Sequence, residues 1–141
     1  MKNLIKTFCF LLLFISNNFF ANASTNKIIV KIDNNIITSY ELKNKIRTAL
    51  FLSNQNLNQE NIDKTKNQAL SFLVNMKIKK KEILKYKINL DEINIDKQLM
   101  SISLNDLNNF KKNFLQNNLD FEIFAEEIKI EVAWQQLIYD I

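Results

Sequence analysis

Three glutamates, Glu126, Glu127 and Glu131, stand at one-, four- and five-residue steps near the C-terminal end of the chain. On a helix that spacing gathers carboxylates to one side and invites a metal or acid–base reading. The rest of the sequence supplies none of the partners such chemistry uses. There is no His, and the single cysteine is Cys9, so Ser-His-Asp and Cys-His arrangements and the usual zinc sites are excluded. The chain also lacks Gly, without which neither a P-loop nor a dinucleotide-binding turn can be written. The three carboxylates therefore read as a solubilising face, and no catalytic residue, metal or cofactor is expected. Lys77, Lys79, Lys80, Lys81, Lys85 and Lys87 form a basic run that could meet anionic lipid or nucleic acid. They spread around a helix with a single aromatic, Tyr86, among them rather than interleaved readers, which fits a solvated face better, and nucleic acid is not an expected partner. Phe110, Phe114, Phe121, Phe124 and Trp134 are the remaining candidates. Their chemistry is apolar burial, either as a cradle for unfolded chains or as ordinary core, and helical spacing is what a core would show.

The elements that must position these residues begin after residue 23. Lys2 and Lys6 precede an apolar run over residues 8–15, and Ala21-Asn22-Ala23 offers small residues for cleavage, the order of a secretory signal. Asn17-Asn18 interrupts the run well short of the about 20 apolar residues a membrane anchor needs. Residues 1–23 are thus expected to be a signal peptide and residues 24–141 one exported domain, periplasmic, with no stable membrane insertion once the signal is removed. Losing Lys2 and Lys6 lowers the formal charge from +4 to +2 and leaves no cysteine, so stability must come from packing without disulfides.

Within the domain, residues 27–33 read Lys-Ile-Ile-Val-Lys-Ile-Asp, a short β-rich run that predicts a strand, followed by a turn at Asn34-Asn35. Thr38 and Glu41 have the spacing of a capping box, and Leu42, Ile46, Ala49 and Leu50 predict a first helix to about Ser53. Ile62, Ala69, Leu70, Leu73, Met76, Ile83 and Leu84 predict a long second helix ending near Tyr86. Asp91 is expected to cap a third helix carrying Ile95, Leu99 and Ile102. A short helix over residues 105–115 should turn Leu107, Phe110, Phe114 and Leu115 inward and stop at Asn117-Asn118. Asp120 then caps a last helix with Phe124, Ile128, Val132 and Ile138 in one stripe, widened by Trp134 and Leu137. The fold class is mainly α, a short N-terminal strand or hairpin followed by four to five helices.

The run Ile-Val-Lys-Ile-Asp-Asn-Asn-Ile-Ile-Thr-Ser-Tyr-Glu-Leu over residues 29–42, the short link into a capped helix over residues 88–99, and Val-Ala-Trp-Gln-Gln-Leu-Ile over residues 132–138 resemble the N-terminal domain of the SurA-type periplasmic chaperones. Lys87 and Asn118 stand where that family often has glycine. The resemblance implies an ATP-independent chaperone module for unfolded outer-membrane or envelope proteins, with Phe110, Phe114, Phe121, Phe124 and Trp134 as client-binding candidates. Family members often carry parvulin-type prolyl isomerase domains. The resemblance here stops at Ile141 without one, so isomerase activity is not expected of this chain. Two other expectations stand beside the chaperone: a non-catalytic part of a parvulin-type isomerase working with a parvulin-domain partner, and a helical dimer that self-associates through its apolar surface.

Overall fold

A computed structural model describes residues 26–140, and the signal-peptide reading of residues 1–23 lies outside them. The described chain is mainly helical. Strand β1 (Ile28–Ile32) and strand β2 (Asn35–Thr38) form an antiparallel hairpin, followed by α1 (Ser39–Leu52), α2 (Gln59–Lys85), a 3-10 turn at Leu90–Glu92, α3 (Asp96–Ile102), α4 (Leu107–Gln116) and α5 (Phe121–Asp140). The hairpin turn falls one residue earlier than expected, at Asp33-Asn34, because Ile32 pairs with Asn35 and Asp33 takes the positive φ. That register puts Ile37 inward and fully buried, while Ile36, its neighbour, faces out.

Each helix starts where a polar side chain can accept an otherwise unpartnered backbone N–H. Thr38 and Glu41 form the complete capping box: Thr38 Oγ1 accepts from the Glu41 N–H at 3.2 Å, and Glu41 Oε2 accepts from the Thr38 N–H at 2.8 Å. Asn58, Asp106 and Asp120 cap α2, α4 and α5 in the same way. Asp91 does not cap α3. Asn89 accepts the Asp91 N–H, which winds residues 90–92 into the 3-10 turn, and α3 begins only at Asp96, whose N–H is taken by Asn94. Burial of Leu90 against the α2–α5 core holds that turn in place.

The helix ends solve a problem set by the composition. A Schellman ending places its C′ residue in the left-handed region, normally with glycine, and this chain has none. Asn54, Lys87, Leu104 and Asn118 take that position after α1, α2, α3 and α4, with φ between 52° and 60°. The paired bonds that define the motif are present each time, as in Lys87 N–H to Leu84 O at 3.0 Å and Ile88 N–H to Ile83 O at 3.3 Å. Asn tolerates the conformation; Lys and Leu carry a cost on the order of 1 kcal/mol each from the Cβ. Replacing Lys87 with Gly is therefore expected to raise stability by about 1 kcal/mol, read as a shift in the urea midpoint without a change in slope. A destabilised variant would show that the Lys side chain contributes more than its backbone costs.

Packing divides into three clusters along α2, α5 and α4. At 27 residues, α2 extends about 40 Å and outruns α1. Its first half, Ala69 and Leu73, meets Leu42, Ile46 and Leu50 of α1 under Ile37 of the hairpin. Its second half, Met76 and Ile83, meets Ile130, Ala133 and Leu137 of α5. Beyond α1, α5 and the 3-10 turn pack on one side of that half, so Ile83 is buried and Leu84, expected inward, is exposed. Narrow contacts correct three further positions: Ile102, Leu115 and Ile138 are exposed, because α3, α4 and the last turn of α5 each bury only one stripe.

Candidate functional site

The third cluster gathers four of the five aromatic candidates. Phe110, Phe114, Phe121 and Phe124 pack on one another with centroids 4.9–6.4 Å apart, and Phe51 of α1 closes on Phe114 edge-on at 5.4 Å. Such tilted and edge-to-face pairs are the stable arrangements of aromatic rings. Phe114 is fully buried and Phe124 nearly so; Phe110 and Phe121 are half-buried. Lys111 Nζ sits 4.9 Å over the Phe121 ring. Trp134 is not brought to this group. It lies half-buried on the α2–α5 cluster, with Lys79 Nζ 6.0 Å from its ring.

Part of the lysine run meets two of the three glutamates across a seam between helices. Lys79 pairs with Glu131 at 2.6 Å and Lys80 with Glu126 at 2.8 Å, joining α2 to α5. Lys77 reaches Glu41 at 2.7 Å, and Lys81 reaches Asp33 in the hairpin turn at 2.7 Å. These charges thus cross-link the helices and the hairpin turn, although pairs still reached by solvent are worth only about 0.2–1 kcal/mol each. The Glu41 carboxyl is pushed upward by partial burial, but the Lys77 contact and the bonds from Thr38 outweigh this and hold it below the usual carboxylate range.

Glu127 is different in kind. It is buried, and its Oε2 accepts from Lys45 Nζ at 2.7 Å, while the same ammonium stands 3.4 Å from the centre of the Phe72 ring. Desolvation raises its carboxyl above the ordinary value, and the opposing pull of Lys45 only partly offsets this. A further side of α1 carries polar ties to the α4–α5 corner. The Asn44 side chain accepts the Asp120 N–H at 2.9 Å, Tyr40 donates to Asp120 Oδ2 at 2.9 Å, and Arg47 donates to the Asn117 carbonyl at 2.6 Å. These ties fix α1 as the central strut. Sequence reading missed them because each joins residues 70 or more positions apart.

On another side of α1 lies a mainly apolar groove of about 600 Å³. Its floor is Leu42 and Ile46 of α1 and Ile62 of α2, and Ile29 and Leu57 stand over it. A β-bulge explains the position of Ile29. Ile28 pairs with Thr38 and Val30 with Ile37, so Ile29 is the extra residue of its strand, and bulges re-aim side chains in this way. Ile29 and Leu57 are exposed by 45% and 56%, large apolar groups left open to solvent at the mouth of an apolar floor. Beside them, β2 lies against α1 and α2, while β1 has one edge with no strand paired to it among the described residues. Lys43, Arg47, Asp63 and Lys66 form the polar rim. The signal available in the sequence was the Ile28-Ile29 pair, one apolar residue more than strand alternation requires.

Fold and site together define a mainly helical domain with an open apolar groove. Among the described residues there is no cluster of three or more His, Cys, Asp or Glu able to hold a metal ion, and no helix long and apolar enough to cross a membrane. Comparison with family models, with characterised proteins and with solved structures returns no match to this chain.

Proposed function

We propose that this chain is an ATP-independent chaperone domain of the SurA type, exported to the periplasm, that holds extended apolar segments of unfolded outer-membrane or envelope proteins. The observation that carries the reading is the groove under Ile29 and Leu57. An unfolded chain offers alternating apolar side chains and an unsatisfied backbone. The groove supplies apolar burial for the first, and the free edge of β1 supplies hydrogen-bond partners for the second, the mode of strand addition. Binding of this kind uses no covalent chemistry and no cofactor. Phe110 and Phe121 remain candidates for a second contact, since each keeps part of its ring accessible.

The test is dilution of a denatured porin in the presence of the purified protein, with light scattering as the readout and circular dichroism as the check on folding. Aggregation should be suppressed at near-stoichiometric amounts, and Ile29→Ser with Leu57→Ser should weaken suppression several-fold while the helical signal stays unchanged. A folded protein that leaves aggregation untouched would sink the chaperone reading. Exposed Met100, Leu104 and Leu115 on α3, α4 and their link favour self-association as the second reading. Sedimentation over a range of concentrations separates a dimer from a monomeric binder.

A further inference from the structure

The rim of the groove has a sign. Three cations, Lys43, Arg47 and Lys66, line it against one carboxylate, Asp63. Asp63 Oδ1 already accepts from the Gln59 side chain at 2.9 Å, and the Arg47 guanidinium is held in place by the Asn117 carbonyl. Lys43 and Lys66 enter no ion pair among the described residues, whereas the lysines of the α2 seam are matched with carboxylates at 2.6–2.8 Å. Cations beside a low-dielectric apolar floor focus their field into the groove and attract opposite charge to it.

Resting on the binding reading above, we infer that the groove selects apolar segments flanked by acidic residues. The apolar side chains of the segment occupy the floor over Leu42, Ile46 and Ile62, and its carboxylates meet Lys43 and Lys66 at the rim. Segments flanked by lysines are disfavoured by the same charges, so the rim discriminates among unfolded chains that the apolar floor would accept equally. Complementarity of this type sets preference and encounter rate more than total affinity, and it weakens with added salt.

Three fluorescent peptides with one alternating apolar core, flanked by Glu, Gln or Lys, test the inference by anisotropy against the purified protein. At low ionic strength the Glu peptide is expected to bind about tenfold tighter than the Lys peptide, with Gln between them. Molar salt should erase most of that order. The double variant Lys43→Gln with Lys66→Gln should bring the Glu and Lys peptides to within about twofold of each other. Equal binding of all three peptides, sensitive to Leu57→Ser, would overturn the charge preference and leave the groove standing as a binding site. Absence of binding by all three would overturn the groove itself, and the inference with it.

Discussion

Substituting Lys45 by Met is expected to destabilise the domain by about 3 kcal/mol at neutral pH, because it strands the buried Glu127 carboxylate without its partner. The Met chain replaces the Lys stem over Phe72, so little of the loss comes from packing. Restoring the balance with Glu127→Leu in the same chain should recover most of the loss, since a buried ion pair replaced by apolar groups is often neutral or better. Urea unfolding of the wild type, the two single variants and the double closes the cycle. Additive losses in the double variant would show that the 2.7 Å contact between Lys45 and Glu127 carries no coupling.

The same pair fixes a direction of pH dependence. Burial holds the Glu127 carboxyl above its ordinary value, so between its unfolded and folded pKa the native state binds the extra proton. Its contribution to stability is full below the unfolded pKa and falls as pH rises through the folded one. Glu41 runs the opposite way: its lowered carboxyl contributes above the unfolded pKa and loses that contribution as pH falls through the folded value. In the Lys45→Met variant the first effect is expected to grow, leaving a smaller deficit in mild acid than at neutral pH.

The capping residues show what was legible in the sequence. Thr38 with Glu41, and Asp120, announce their helices through contacts within four residues, and the structure makes those contacts. Asp91 was illegible by the same logic, because Asn89 stands two residues before it and competes for the backbone with an equally short side chain. Facing directions were read from apolar spacing alone. That works where a helix has neighbours on one continuous side and fails where the neighbour changes, as on α2 at Leu84 and on α5 at Ile138. Asn44, Thr48 and Glu127 lie inside the core, although polar type assigns them outside. Two of them are there because their partners, Asp120 and Lys45, come from distant parts of the chain. The groove was unreadable for a related reason: Ile29, Leu57 and Ile62 meet only once the hairpin, the loop and α2 are folded together.

Phe114→Ala is expected to be the most damaging single change, costing about 3–5 kcal/mol through lost burial and the cavity left among four other rings. That is a large share of the 5–15 kcal/mol that stabilises a typical domain. Phe114 is fully buried, and its carbonyl also accepts the Leu119 N–H at 2.9 Å, so the ring and its backbone together hold the end of α4 and the entry to α5. Hydrogen exchange should accelerate first in α3, α4 and the first turn of α5, while amides in α1 and the first half of α2 keep more protection. The milder Phe114→Leu preserves most of the packing and separates two sites of action. Peptide binding that survives in Phe114→Leu but fails in Leu57→Ser places client contact at the groove beside α1. The reverse pattern, loss in Phe114→Leu with Leu57→Ser unaffected, would assign it to the aromatic cluster, where thermal opening of α4 would have to expose the rings that the native fold buries.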